Sequence, residues 1–167
     1  QAWYTALAAS SDGFVYATFR DGFGLGDPLF LNRSSDFGAT WQPTNVSLGP
    51  DNYYTVGMAA QPGGRAWVAW NDVDPFDYTS TIRVARTTDG GATFSDQPLT
   101  PVDYYDTAPS ICVAGSRVIV AWESSQFRVR VSNDSGVTFA PLVTLGVNAA
   151  DGFVPPALAC SSSGHAI

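Results

Sequence analysis

The sequence predicts an all-β fold built from repeated four-stranded antiparallel units, and three observations support this. One octapeptide pattern occurs three times. A short β-prone run that ends in an aromatic residue precedes each copy. Both patterns recur at intervals of roughly 50 residues. Four short strands per unit at such a period are the signature of a β-propeller with four-stranded blades.

The octapeptide reads Ser/Thr-x-Asp-x-Gly-x-Thr-aromatic and lies at 34–41, 87–94 and 132–139. A chance match at one position is on the order of one in a million at average residue usage, so three copies indicate a structural repeat. The residues that define the pattern are Ser34, Asp36, Gly38, Thr40 and Trp41; Thr87, Asp89, Gly91, Thr93 and Phe94; and Ser132, Asp134, Gly136, Thr138 and Phe139.

The β-prone runs end in Phe19, Trp70 and Trp122, and each follows a turn rich in glycine, serine or proline. They mark the second strand (B) of four strands, A to D, in each unit. In the second unit we expect strands over 54–58, 65–70, 81–86 and 93–99. In the third we expect them over 110–114, 117–122, 127–131 and 138–145. No helical period competes with this pattern.

The repeats divide one domain, 1–167, into blades over about 1–50, 51–101 and 102–150, with the first strand of a fourth blade in 151–167. About three blades do not close a ring, since propellers have about four to eight. Either more of the same chain or further copies would complete the propeller. A repeat that stops without a capping segment favours a piece of a longer chain.

The octapeptides resemble the Asp boxes (BNR repeats) of sialidase-like β-propellers, a family that includes non-enzymatic members. The resemblance covers the whole chain at the level of the repeat, and it implies the fold more strongly than an activity. The chemistry predicts a scaffold role: the aspartates accept backbone N–H groups and the glycines take a positive φ. Trp41, Phe94 and Phe139 are expected to pack inward between neighbouring sheets. In this family the boxes lie away from the active-site face.

A propeller blade places its B–C and D–A loops on one face and its A–B and C–D loops on the other. Ten of the fifteen acidic residues fall on the first face. The same loops carry eight aromatic residues: Tyr53, Tyr54, Tyr78, Tyr104, Tyr105, Phe23, Phe76 and Phe153. The predicted binding face comprises Asp21, Asp27, Tyr53, Tyr54, Asp72, Asp74, Asp77, Tyr104, Tyr105 and Asp106. Four interpretations stay open: a solvated surface, a carbohydrate site, a calcium site at Asp72, Asp74 and Asp77, and a docking surface for a basic partner.

Hydrolysis of a glycosidic bond needs two carboxylates that flank the bond. The catalytic candidates are Asp72, Asp103 and Glu123, with Arg20 as the arginine on the same face. The resemblance implies three arginines and a Tyr–Glu pair for a sialidase, and this chain does not show a complete set. The leading function is an extracellular module that binds a glycan or a protein partner. The alternative is a sialidase-like glycoside hydrolase with part of its catalytic set outside this chain.

Composition excludes several classes of function. A net charge of −7 disfavours nucleic acid as a partner. No apolar run approaches the roughly 20 residues of a membrane-spanning helix. Two cysteines without a CxxC pair argue against zinc, so no cofactor other than calcium is expected. Cys112 and Cys160 occupy similar A-strand positions. They form either an inter-blade disulfide, which implies a secreted, periplasmic or cell-surface protein, or two buried thiols.

Overall fold

The computed structural model describes residues 2–21, 29–44, 52–74, 76–77, 79–102, 106–148 and 156–161. Within these ranges, twelve strands form three antiparallel sheets of four strands each. Blade 1 consists of β1 (Ala2–Ala9), β2 (Val15–Asp21), β3 (Leu29–Ser34) and β4 (Gln42–Thr44). Blade 2 consists of β5 (Asn52–Gln61), β6 (Arg65–Val73), β7 (Ser80–Thr87) and β8 (Ser95–Pro98). Blade 3 consists of β9 (Thr107–Ala114), β10 (Arg117–Glu123), β11 (Gln126–Ser132) and β12 (Val143–Asn148).

The predicted fold class is confirmed: in each blade the spatial order of the strands is their order along the chain, and the described residues contain no helix. The largest deviation concerns the D strands, because β8 and β12 begin later than the expected 93 and 138. The reason is local. The backbone N–H groups of Thr93 and Thr138 are donated to the preceding aspartates and are therefore not available to strand C. In blade 3, Ala140 donates its N–H to Val131 of strand C at 2.8 Å before the regular pairing of β12 begins at Val143. Beyond blade 3, residues 156–161 contain one bridge residue, Cys160.

The hydrophobic cores lie between neighbouring blades. We call the side of a blade that faces the previous blade its leading face, and the other side its trailing face. The core between blades 1 and 2 contains Tyr16, Leu29, Leu31, Ala66, Val68, Trp70 and Ala85. The core between blades 2 and 3 contains Trp67, Ala69, Ile82, Val84, Leu99, Ile111, Val118, Val120 and Trp122.

Strand β6 shows why the B strands are so apolar. Its side chains alternate between the two cores, so Trp70 packs toward blade 1 while Trp67 packs toward blade 3. Both tryptophans are fully buried. A strand buried on both faces reads as a continuous apolar run and not as an alternating one.

Candidate functional site

The three Asp boxes share one hydrogen-bond network. In blade 2 the Asp89 carboxylate accepts the hydroxyl of Thr87 at 2.7 Å, the backbone N–H of Thr93 at 3.0 Å and the hydroxyl of Thr93 at 2.6 Å. Asp36 and Asp134 accept the same three donors from their own boxes. All three aspartates therefore hold the C–D turn closed.

These hydrogen bonds also set the charge of the boxes. The side-chain hydroxyl donors, first that of Ser34, lower the pKa of Asp36 to about 2. The threonine hydroxyl and backbone N–H groups likewise hold the pKa of Asp89 and Asp134 well below the usual range of a carboxyl group. Hydrogen-bond donors of the box occupy these carboxylate oxygens, and the lowered pKa keeps the groups ionised. Such a carboxylate is suited to a structural role and not to general acid catalysis.

Each box also ties its own blade to the A–B turn. The residue after the aspartate has a positive φ in every box and donates its N–H to a carbonyl of that turn. The pairs are Phe37 to Gly13, Gly90 to Gly64 and Ser135 to Ser116, at 2.7 to 2.9 Å. The A–B turns and the Asp boxes therefore lie together on one face, which we call the box face. The opposite end of the blades is the loop face.

The box aromatics do not all pack as expected. Phe94 and Phe139 are partly buried against the two inter-blade cores, but Trp41 is 41% exposed. The prediction of inward packing was wrong for Trp41. It lies on the leading face of blade 1, where the described residues provide no earlier blade to cover it.

On the loop face, Asp106 is fully buried. Its carboxylate oxygen Oδ1 accepts the indole Nε1–H of Trp122 at 3.0 Å and a guanidinium N–H of Arg128 at 3.1 Å. Its backbone carbonyl accepts the hydroxyl of Ser80, from blade 2, at 2.9 Å. Asp106 was predicted on an exposed rim, but the structure places it inside the junction between blades 2 and 3. Arg128 supplies the compensating charge.

Asp72 lies at the loop-face end of β6, with its carboxylate 3.7 Å from Nε of Arg83. Arg83 also binds Asp96 on β8 through two N–H groups. The side chains of Asp72 and Arg83 are about a quarter exposed. Asp72, a predicted site residue, and Arg83, which was not predicted, together present a carboxylate and a guanidinium that solvent can reach.

Two aspartates between β6 and β7 accept hydrogen bonds from residues two positions further along the chain. Asp74 accepts the backbone N–H of Phe76 at 2.8 Å, and Asp77 accepts both the N–H and the hydroxyl of Thr79. The Thr79 hydroxyl and N–H lower the pKa of Asp77. Between these two turns, Phe76 is 92% exposed. Sequence reasoning placed Phe76 among the rim aromatics but not in the binding set. The Asp-x-Phe and Asp-x-Thr spacings are the signal for the turns that display it.

The other predicted residues are only partly described by the structure. Glu123 lies at the end of β10 and is buried, at 7% exposure. Asp27, Asp103, Tyr104 and Tyr105 lie outside the described residues, and for Arg20, Asp21, Tyr53 and Tyr54 only the backbone is described. Asp72, Asp74 and Asp77 do not come together as a metal-binding group, and no other three His, Cys, Asp or Glu side chains do so in the described part of the chain.

Cys112 and Cys160 form a disulfide across a sequence separation of 48 residues. The bridge joins β9 of blade 3 to the segment 156–161, as the first of the two alternatives for these cysteines predicted. Within the ranges that the structure describes, no helix is long and apolar enough to cross a membrane.

Comparison with solved structures identifies the fold. The Hadza microbial sialidase Hz136 superposes with a TM-score of 0.58 and 17% identity, over 81% of this chain and 32% of that chain. The α-L-arabinofuranosidase Arb93A from Fusarium graminearum, in complex with an iminosugar inhibitor, gives a TM-score of 0.65 and 14% identity, over 96% and 53%. YCF48 bound to D1 peptide gives 0.55 and 20%, over 95% and 44%.

The chain thus spans between about a third and about half of the length of these structures. No family model matches the sequence, and no curated protein matches it. Identities of 20% or less establish a shared fold and leave activity open. By its repeated blades, its Asp boxes and these superpositions, the chain is a β-propeller of the kind found in the sialidase and arabinofuranosidase structures.

Proposed function

We propose that this propeller module binds carbohydrate through its loop face, with the Phe76 ring as a stacking platform. The observation that carries the proposal is the 92% exposure of Phe76 at the tip of a loop pinned by two aspartate turns. A phenyl ring in water gains nothing for folding, because burial of apolar area is what stabilises the native state. A pinned, exposed ring is pre-organised for a ligand and loses little entropy on binding.

The polar groups near the same end of blade 2 suit hydroxyl-rich ligands. Asp72 and Arg83 are partly exposed and held by their mutual contact, so they present an acceptor and a donor in fixed positions. Aromatic faces combined with a few fixed polar groups are the usual composition of small-molecule sites. The similar solved structures include a sialidase and an arabinofuranosidase bound to an iminosugar, which supports a sugar ligand. YCF48 bound to D1 peptide supports the protein-partner alternative.

The test uses a glycan array followed by calorimetry with the best-binding oligosaccharide, and with arabinobiose as a defined probe. Phe76→Ala should weaken binding about tenfold or more, corresponding to about 1.4 kcal/mol. The matched control is Phe37→Ala, which removes a phenyl ring that is 75% exposed on the box face; it should leave binding unchanged. Equal losses in both variants, or no glycan bound by the parent chain, would reject the proposal. Binding to a protein but to no glycan would support the protein-partner alternative.

The disulfide supports a place for the module in an oxidising compartment, because disulfides persist in secreted, periplasmic and cell-surface proteins. Alkylation of the protein as purified from its native source, without reductant, checks this location. Modification of Cys112 and Cys160 by the reagent would contradict it.

Glycoside hydrolysis is the second candidate, and the enzymatic solved structures favour it as an alternative. Its catalytic residues on this chain would be drawn from Asp72, Asp103, Glu123 and Arg20. Fluorogenic sialosides and arabinofuranosides provide the measurement. Turnover that is lost in Glu123→Gln but kept in Phe76→Ala would support a glycoside hydrolase over a module that only binds sugar. No turnover by a propeller that binds sugar would leave the binding module as the function.

A further inference from the structure

Each blade carries a row of three side chains across strands A, B and C on its trailing face, next to the Asp box. Residues directly opposite in an antiparallel pair point to the same face. In blade 1 the row is Ala8, Tyr16 and Arg33. The corresponding rows, defined by the residue just before each box, are Ala59, Trp67 and Arg86 in blade 2, and Cys112, Ile119 and Val131 in blade 3.

The first two rows clamp the Asp box of the next blade. Arg33 donates to the carbonyl of Gly90 at 2.9 Å, and the Trp67 indole donates to the carbonyl of Ser135 at 2.9 Å. The glycine two residues after the aspartate of the clamped box lies close to the same row of side chains. A Cβ on Gly91 would lie 3.2 Å from the Tyr16 ring, and a Cβ on Gly136 would lie 3.0 Å from the Trp67 indole nitrogen.

The third row cannot form this clamp, because all three of its side chains differ from those of the second row. Ile119 and Val131 carry no hydrogen-bond donor, so they cannot hold a box carbonyl in the way that Arg33 and Trp67 do. The strand A member has changed at the same time, from alanine to Cys112, and Cys112 is bonded to Cys160. The three substitutions therefore convert a polar clamp into a covalent link between inner strands.

The partner cysteine also has an apolar counterpart in blade 3. The segment Pro156-Ala-Leu-Ala-Cys160 repeats the pattern Pro109-Ser-Ile-Cys-Val113, which places Cys160 at the position of Val113. Val113 and Ala59 both pack against the core between blades 2 and 3. The positions held by Ala59 and Val113 at the second junction, where both pack against the apolar core, are thus held by the two disulfide-bonded cysteines at the third.

We infer that the Cys112–Cys160 disulfide is a redox latch: a thiol reductant opens the junction between blade 3 and the segment 156–161 while the first two junctions stay closed. In the reaction, a thiolate of a dithiol reductant attacks one cysteine sulfur, and the second thiol of the reductant resolves the mixed disulfide. Two electrons and two protons pass to the protein, the S–S bond becomes two thiols, and the reductant becomes its own disulfide.

The trailing face of blade 3 is apolar, and this determines what reduction of the disulfide would expose. Once the link is cut, no hydrogen-bond clamp of the first two kinds can form from Ile119 or Val131. Opening exposes the row of Cys112 and Ile119, which are now 7% and 4% exposed. The module would thereby present an apolar sheet face under reducing conditions and a covered one under oxidising conditions.

Hydrogen exchange of the full chain, measured by mass spectrometry with and without dithiothreitol, tests the latch. We expect peptides covering 107–114 and 156–161 to exchange at least tenfold faster after reduction. Peptides covering the boxes at 87–94 and 132–139 should change less than twofold. The matched variant Cys112→Ala/Cys160→Val installs the alanine–valine pair of the second junction, and it should exchange at the fast rate whether or not dithiothreitol is present.

Three results would overturn the latch. The first is unchanged exchange on reduction. The second is equal acceleration at all junctions, which would show a general loss of stability. The third is slow exchange in the double variant, which would show that apolar packing alone closes the third junction. If the double variant does not fold, the comparison of the oxidised and reduced parent chain decides between the first two results and the proposal.

Discussion

The junction between blades 1 and 2 and the junction between blades 2 and 3 follow one plan but use different polar groups. At the box face, the same backbone position accepts a hydrogen bond in both, from the Arg33 guanidinium in the first and from the Trp67 indole in the second. At the loop face, equivalent tryptophans differ more. Trp122 donates to the buried Asp106, whereas the buried indole N–H of Trp70 has no hydrogen-bond partner among the described residues.

The comparison shows which polar groups are the same at both junctions and which differ between them. The box fixes the acceptor carbonyl and the glycine beside it, because these are backbone features of a turn with two consecutive positive φ values. The donor that reaches the carbonyl comes from a neighbouring blade and is replaceable, since any long side chain with an N–H can fill the role. Substitutions at matched positions in the two junctions can therefore test whether the backbone acceptor is shared and the donor side chain is replaceable.

The largest difference is expected between two carboxylates that bind equivalent arginines. Arg128 and Arg83 occupy corresponding positions opposite Trp122 and Trp70. Asp106, the partner of Arg128, is fully buried, whereas the Asp96 side chain, the partner of Arg83, is 42% exposed. Asp106→Ala should lower the free energy of unfolding by about 3 kcal/mol or more, because it leaves a partly buried cation without its counter-charge.

Asp96→Ala is the control, and it should cost less than about 1 kcal/mol, as exposed ion pairs do. Urea unfolding of both variants provides the measurement. Similar losses would show that burial of Asp106 does not make it a structural centre of the second junction.

The next effect concerns the box glycines. Gly38, Gly91 and Gly136 have φ values of 82 to 86°, so alanine brings the same backbone strain to each. Only Gly91 and Gly136 also face a neighbouring blade within 3.2 Å, while a Cβ on Gly38 would meet nothing closer than Trp41 at 3.8 Å. Overpacking of this kind costs about 1–3 kcal/mol.

Gly136→Ala and Gly91→Ala should therefore destabilise the protein by that additional amount relative to Gly38→Ala, as measured by thermal unfolding. Equal destabilisation in all three variants would mean that the backbone conformation alone requires glycine and that inter-blade contact does not.

An effect of similar size distinguishes the two loop-face tryptophans. Trp122→Phe and Trp70→Phe remove the same ring volume from fully buried sites. Only the first also removes a hydrogen bond to a buried carboxylate, a loss of about 1–3 kcal/mol. Chemical unfolding should show Trp122→Phe to be the more damaging by this margin. A larger loss for Trp70→Phe would contradict the assignment of polar anchoring to the second junction.

The smallest difference is expected in acid, where the junctions should behave alike. The folded-state pKa of Asp36 is about 2, below its ordinary value of 3.8, and Asp89 and Asp134 are shifted in the same direction. A lowered pKa contributes stability that is fully present above the unfolded-state pKa and is lost as pH falls toward the folded-state value. The melting temperature should therefore fall between about pH 4 and pH 2.

Asp89→Asn and Asp134→Asn should each reduce this acid loss to the same extent, because their boxes share one geometry. Thermal melts from pH 7 to pH 2 provide the measurement. A clearly unequal reduction would show that the boxes are not interchangeable supports of the two junctions.

Much of the fold follows from local pattern. The spacing of serine or threonine, aspartate and threonine in each box predicts hydrogen bonds over two and four residues, and these are the bonds observed. The second strands were equally predictable, because burial on both faces leaves a continuous apolar run that starts at a turn. The prediction for Trp41 failed because its packing depends on a neighbouring blade and not on its own box.

The site was less predictable. Asp106, which directly precedes β9, and Arg128 of β11 are separated by 22 residues and meet because β9 and β11 lie on either side of β10 in the same blade. Nothing in the local sequence shows that this aspartate is buried. Phe76 was identifiable as a rim aromatic, but its exposure depends on how the flanking aspartates bond to the loop backbone.

The period and the hydrogen bonds within each Asp box could be predicted from the sequence, because a box is held together by residues that lie within four positions of its aspartate. Three features could be seen only in the folded protein: which side chain reaches a box carbonyl, which carboxylate is buried and which aromatic ring is exposed. Those outcomes depend on how two sheets pack face to face. A repeating sequence constrains that packing through backbone geometry, and the individual side chains at each junction complete it.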